Sequence, residues 1–193
     1  MTKIPEIDSC TVQYNIGNNV IKYNVKFYRK QHNLTQMQLG KRTGLQRTYI
    51  AEIESGVRNP TISKVFQIAI GLRIEPWRLL KPLSSKELFY GIENDFTPLD
   101  YTLTESKLLT IELYKENLIK NIKYLRKKRG WNQDKLAQLS GLSVIFIRYI
   151  EQDKKEPTLE SLSKIAMAFH IPLWKLVNGI DSNSIWFNHD MWL

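Results

Sequence analysis

One cysteine, Cys10, stands in 193 residues, so no disulfide can close within the chain and no cysteine-rich metal site exists. Histidine is equally sparse. His32, His170 and His189 are scattered, with no metal-ligand spacing and no partnered nucleophile, and Asp95 and Asp100 lack a matching cluster. No enzyme, cofactor or metal is therefore expected. No apolar run approaches the roughly 20 residues that cross a bilayer, and the opening MTKIPEIDSC lacks the apolar core of an export signal. A soluble, cytoplasmic protein without a membrane partner is the expectation.

Acidic residues are the minority charge, and the formal net charge of +9 is unevenly spread. Residues 20–82 carry 12 Lys and Arg against 3 Asp and Glu, and residues 115–177 carry 13 against 6. Between them, residues 83–114 carry 2 against 6. Positive charge localised in two blocks suits a polyanionic partner.

The two basic blocks are copies of one another. At a fixed shift of 97 and without gaps, identical residues pair as Arg29/Arg126, Gln36/Gln133, Leu39/Leu136, Gly44/Gly141, Leu45/Leu142, Ile50/Ile147, Ile53/Ile150, Glu54/Glu151, Pro60/Pro157, Thr61/Thr158, Ile68/Ile165, Ala69/Ala166, Ile74/Ile171 and Trp77/Trp174. Chance does not hold such a register from Arg29 to Trp77. The chain is a duplication of one small domain. A unit of this size is near the lower limit for independent stability, so the two are expected to dock on each other or on the linker.

Within each copy the densest match reads as two short helices around a turn. In TQMQLGKRTGLQRTYIAEIESGVRNP, Thr35 suits an N-cap, Leu39 faces inward, and Gly44 ends the helix where a left-handed residue is needed. A second helix starts near Gln46, with Ile50 and Ile53 on one face and Arg47, Thr48 and Glu52 on the other. That is a helix-turn-helix. Around it, a helix from about Val20 to Gln31 carries the stripe Ile21, Val25 and Tyr28. Thr61 caps a fourth helix, with Val65, Ile68 and Ala69 inward and Gly71 as its stop; a last helix from about Pro76 to Leu80 lays Trp77 over the core. The second copy repeats this order. Thr104 to Arg129 holds no proline or glycine and has Leu108, Ile111, Leu118, Ile122 and Leu125 at helical spacing, which predicts a long helix leading into it.

The expected organisation is an N-terminal arm at 1–19, mobile or a short capping strand, a first domain at 20–82 and a linker with the start of the long helix at 83–114. A second domain follows at 115–178 and an aromatic tail at 179–193. Leu88, Phe89, Tyr90, Phe96 and Tyr101 in the linker, and Trp186, Phe187 and Trp192 in the tail, offer apolar area that should be buried within the chain or against a partner chain.

Arg29, Thr35-Gln36, Leu39, Thr43-Gly44-Leu45, Ile50, Ile53-Glu54, Gly56 and Asn59-Pro60-Thr61 resemble the Cro and phage-repressor type of helix-turn-helix, the Xre-like family. The second copy matches nearly as well. The resemblance implies an all-α chain of two tandem five-helix, lambda-repressor-like DNA-binding domains joined by the aromatic linker and the long helix. It implies base reading by Arg47, Thr48 and Glu52, with Tyr49 alongside, and by Val144, Ile145 and Tyr149 in the second copy. Arg47 can offer two parallel donors to guanine, Thr48 a methyl or hydroxyl, and Glu52 either an acceptor to cytosine or a partner for Arg47. Phosphate contacts are expected from Gln36 at a helix N-terminus and from Lys41, Arg42 and Arg58, with Gln133, Lys135, Lys154 and Lys155 in the second copy. The resemblance also implies structural ion pairs, Arg29 with Glu54 and Arg126 with Glu151.

The second copy departs from the pattern at its reading face, where Val144, Ile145 and Phe146 are apolar. Such side chains can touch thymine methyls but cannot make the bidentate contacts that discriminate G·C. Two readings follow. Either the protein is a sequence-specific regulator of transcription, a repressor binding double-stranded DNA, its tandem domains supplying both half-sites from one chain or, as the aromatic linker and tail favour, a homodimer presenting four domains; or it is an antitoxin-like or phage-encoded inhibitor whose second domain grips a protein partner while the first only autoregulates transcription.

Overall fold

A computed structural model describes residues 9–84 and 104–178, with side chains over 20–84 and 110–178. In the first unit α1 (Ser9–Gln31) buries Ile21, Val25 and Tyr28 along one stripe. Thr35 then opens α2 (Gln36–Thr43) with a capping box: its Oγ1 accepts from the Gln38 N–H and its own N–H donates to the Gln38 side chain. α3 (Arg47–Ser55) buries Ile50 and Ile53, and α4 (Ile62–Leu72) is apolar on nearly every side. A 3-10 turn at Pro76–Leu79 closes the unit. The second unit repeats the series as α5 (Thr104–Lys128), α6 (Gln133–Ser140), α7 (Val144–Glu151), α8 (Leu159–Ala168) and α9 (Leu173–Asn178). The fold is all-α, two five-helix units in tandem, and no strand longer than one bridge occurs among the described residues.

The duplication is tighter in backbone than in residue identity. Positive φ occurs at Asn33, Gly44, Gly56 and Arg73, and again, 97 residues on in each case, at Gly130, Gly141, Asp153 and His170. Only the turn inside the helix-turn-helix uses glycine in both copies. Elsewhere Asn, Asp, Arg or His accepts the left-handed conformation, which costs a non-glycine residue on the order of 1 kcal/mol and is held by the packing on either side.

Three expectations change. The first helix begins at Ser9, not near Val20, and runs through Gly17-Asn18-Asn19, although these are poor helix formers; α1 as a whole lies against α8 of the second unit. The arm-to-domain boundary at 19 and 20 therefore falls inside a helix. Gly71 does not stop α4, which continues to Leu72 and ends on Arg73 at φ 55. Gly71 is instead a point of close approach, because a Cβ there would sit 2.3 Å from Thr43 Cγ2 on α2. The second copy confirms the steric logic: Gly71 becomes Ala168, while Thr43 becomes Ser140, which lacks that methyl. Residues 1–8, the aromatic residues of the linker and those of the tail lie outside the described residues.

Each unit is tied by a buried ion pair. Arg29 Nε lies 2.6 Å from Glu54 Oε1 and its Nη2 lies 2.9 Å from Oε2, while Nη1 donates to the Leu34 carbonyl. Arg126 holds Glu151 and the Trp131 carbonyl in the same way. This fork joins α1 to α3 and α5 to α7, so it fixes the pitch of the helix that carries the exposed polar face. Burial raises the Glu54 and Glu151 carboxyls, but hydrogen bonds from Arg29 and Gln36, and from Arg126 and Gln133, outweigh it. Both titrate below their ordinary 4.5.

The units meet about an internal two-fold axis. Thr61 and Thr158 form an antiparallel bridge; the Ile62 N–H donates to the Pro157 carbonyl at 3.1 Å and the Leu159 N–H to the Pro60 carbonyl at 3.0 Å. These are the same residues of the repeat, exchanged. Side chains reciprocate as well: Glu156 accepts from the Ser63 N–H at 2.7 Å, and Asn59, its counterpart, accepts from the Glu160 N–H at 3.3 Å. Each unit thereby satisfies an orphan donor in the first turn of the other's fourth helix. Trp77 and Trp174, also counterparts, face each other with centroids 6.1 Å apart. α5 packs on α4, where Tyr114 lies 5.3 Å from Phe66 and its hydroxyl donates to Glu75.

Gly71→Ala should cost about 1–3 kcal/mol of stability through the clash with Thr43, and the pair Thr43→Ser with Gly71→Ala should recover most of it in a denaturant double-mutant cycle. Because both glutamates are depressed in the folded state, their stabilisation is complete above about pH 4.5 and disappears as pH falls through the lower folded values. Unfolding midpoints should therefore be steady from neutral pH to about 5 and drop below it. Glu54→Ala, which strands a buried guanidinium, should cost about 3–5 kcal/mol at pH 7.

Candidate nucleic-acid interface

The helix-turn-helix of the first unit presents the N-terminal turn of α3 to solvent. Gln46 sits at the cap in an extended conformation, so Arg47 and Thr48 emerge together, both exposed. Arg47 pairs with no carboxylate among the described residues. Glu52, one turn on, is committed to Arg58, with which it forms an ion pair, and not to Arg47. Arg58 is also stacked over the Tyr49 ring, 4.7 Å from its centroid. Tyr49 is half-buried, and burial pushes its phenol above the ordinary value. Tyr49, Glu52 and Arg58 thus form one braced cluster behind Arg47 and Thr48.

Gln36 uses one amide N–H within the protein, donating to Glu54 Oε2 at 3.0 Å, and Gln133 does the same to Glu151 at 2.9 Å. The first-turn backbone of α2 keeps its outward aim, and the second amide N–H of Gln36 is left over for an external acceptor. Lys41 and Arg42 are exposed on the last turn of α2. In the second unit Lys135 approaches Gln138 at 3.4 Å, Lys154 is exposed, and Lys155 lies over the Phe146 ring at 5.4 Å. Arg58 over Tyr49 and Lys155 over Phe146 are counterparts, so the cation at the foot of each exposed helix is braced by an aromatic ring in both units.

The α7 face differs from what matched positions imply. Ser143 caps the helix by accepting from the Phe146 N–H at 3.2 Å. Val144, the counterpart of Arg47, is half-buried and packed against the core, because a branched apolar side chain there gains more from the core than from water. Ile145 is 58% exposed and Tyr149 42% exposed. Between them stands Arg148, exposed and equivalent to Ala51. Copying reader positions from the first unit overlooks Arg148, since its counterpart is a methyl. Its place three residues after the exposed Ile145 is the signal that reveals it. The described surface of α7 is therefore apolar with a guanidinium at its centre.

The family model described as Helix-turn-helix, HTH_3, matches this chain twice, over residues 25–76 and 122–173. Control protein C.SmaI of Serratia marcescens is 35% identical over 77 residues, which cover 40% of this chain and 88% of that protein. An uncharacterised HTH-type transcriptional regulator of Methanocaldococcus jannaschii is 42% identical over 57 residues, 28% of this chain and 86% of that protein. The immunity repressor protein of Bacillus phage phi105 is 39% identical over 51 residues, 26% of this chain and 35% of the repressor. No described helix is long and apolar enough to cross a membrane. The two matched segments lie 97 residues apart, as the repeat does, and the chain belongs, through both of its units, to the Xre-type helix-turn-helix family of DNA-binding transcriptional regulators.

Proposed function

We propose that the protein is a sequence-specific, double-stranded-DNA-binding repressor of transcription that inserts the second helix of each motif into the major groove. The observation that carries this reading is the state of Arg47. It is the exposed cation at the N-terminus of α3 that no carboxylate among the described residues neutralises, whereas Arg58 beside it is already braced by Glu52 and Tyr49. A planar fork left free at a helix end that fits the groove suits guanine O6 and N7. Thr48 adds a methyl and a hydroxyl. Gln36, Lys41, Arg42 and Arg58 surround that helix as phosphate contacts that hold its register, and Gln133, Lys135, Lys154 and Lys155 serve the second unit.

A second reading rests on the exposure of Ile145 and Tyr149: α7 is a docking face for a protein, and only the first unit touches DNA. Ile145→Ser with Tyr149→Ser separates the two. Groove insertion requires weaker operator binding, whereas a protein-docking face leaves operator affinity intact.

Selection of bound duplexes from a random pool should return a defined motif. Against that motif Arg47→Ala should cost about 1–3 kcal/mol and erase the preference at one base pair. Lys41→Ala should weaken cognate and random duplex alike and lower the salt slope by about one. An unchanged cognate-to-random ratio for Arg47→Ala would remove Arg47 as a reader.

A further inference from the structure

We propose that one chain is its own dimer on DNA: the internal two-fold axis sets α3 and α7 into successive major-groove turns of one duplex, where they read two unequal half-sites, the second through Arg148. This rests on the DNA-reading function above and specifies its target. The operator it implies is a quasi-palindrome with different halves, occupied by a single chain.

The first support is the reciprocity of the junction. A contact between unrelated surfaces pairs residue i with an arbitrary j; here Thr61 meets Thr158, Trp77 meets Trp174, and the two backbone bonds and two side-chain caps exchange counterpart residues. That is the isologous geometry by which a symmetric dimer meets, built inside one chain. Relatives point the same way. Since 77 residues make up 88% of the Serratia control protein, that protein is the size of one repeat. A helix-turn-helix protein of one unit reaches two half-sites by pairing with a second copy. This chain carries the second copy covalently.

Half-site spacing follows from tether length. α3 ends at Ser55 and α7 at Glu151, so each recognition helix stops a few residues before the bridge at Thr61 and Thr158. At about 3.5 Å per extended residue, the two helix ends lie at most roughly 50 Å apart across the axis. The real span is shorter, because the chain after α3 folds back, the Arg58 N–H donating to the Glu52 carbonyl. Half-sites one turn apart, about 34 Å, are within reach.

Inequality of the halves comes from the faces themselves. On α3 the outward side chains are Arg47 and Thr48; on α7 they are Ile145, Arg148 and Tyr149. Ile145 can lie against thymine methyls, and Arg148, one turn further along, supplies the second half with a bidentate donor that Val144 cannot. The guanidinium moves from the first turn to the second, so the guanine it reads shifts relative to the half-site centre.

The test uses the full chain. Duplexes are selected from a random pool, the stoichiometry of the complex on the selected duplex is measured by native mass spectrometry, and the halves are then moved apart by five inserted base pairs. Expected are one chain per duplex, a motif of two unlike halves with centres about 10–10.5 base pairs apart, and a fall to single-half affinity on insertion. Arg148→Ala, at a solvent-facing position, should erase one base-pair preference in the second half and leave the first half untouched. Two chains on the motif, a motif of one half, or indifference to the insertion would overturn the proposal while leaving DNA reading by α3 in place. Enrichment of no sequence at all would overturn both.

Discussion

The junction at Thr61 and Thr158 is the constraint on which the arrangement of this molecule depends. Two backbone hydrogen bonds are a small contact, yet they form at the N-termini of α4 and α8, where N–H groups have no partner within the helix. Glu156 and Asn59 reach across to occupy two more of those donors. Separating the units would return these groups to water and expose Trp77, Trp174 and the α4 to α5 contact together. Because the backbone bonds, the side-chain caps and the tryptophan pair are each exchanged between equivalent residues, that part of the joint is set twice over, and each recognition helix inherits its direction from it.

Inside each unit a second device carries orientation from the core to the surface. The Arg29 guanidinium is consumed by Glu54 and the Leu34 carbonyl, and Gln36 donates to the remaining carboxylate oxygen. The first helix, the start of α2 and the end of α3 are thereby held at one point. The second unit reproduces the cluster with Arg126, Glu151, Gln133 and the Trp131 carbonyl. Breaking such a pair leaves a charge with no water to receive it, which is why the joint is retained where neighbouring surface residues have changed.

That contrast separates scaffold from reader. Buried positions are bound by volume: where Gly71 became Ala168, the opposing Thr43 became Ser140, and the methyl moved from one helix to the other. Braced cations persist as Arg58 over Tyr49 and Lys155 over Phe146. The exposed stripe is free of these limits, and there Thr48 gives way to Ile145, Ala51 to Arg148 and Glu52 to Tyr149, while Arg47 is replaced by Val144, which turns to the core. A duplicated scaffold with two different faces is the outcome.

By itself the sequence determined the duplication, the helix-turn-helix, the five-helix order and the identity of the inward residues, because periodicity and a gapless repeat are local properties of a chain. It also carried the turn at Gly44, where a left-handed residue is read from glycine. It did not determine where α1 begins, since Gly17-Asn18-Asn19 predict a break and the helix runs through them. Arg73 and His170 at positive φ, Gly71 as a contact instead of a stop, and the pairing of Glu52 with Arg58 were likewise decided in three dimensions. So was the two-fold axis. Hydrogen bonds between residues from 93 to 101 apart leave no trace in composition or spacing, and their direction exists only once both units are folded against each other.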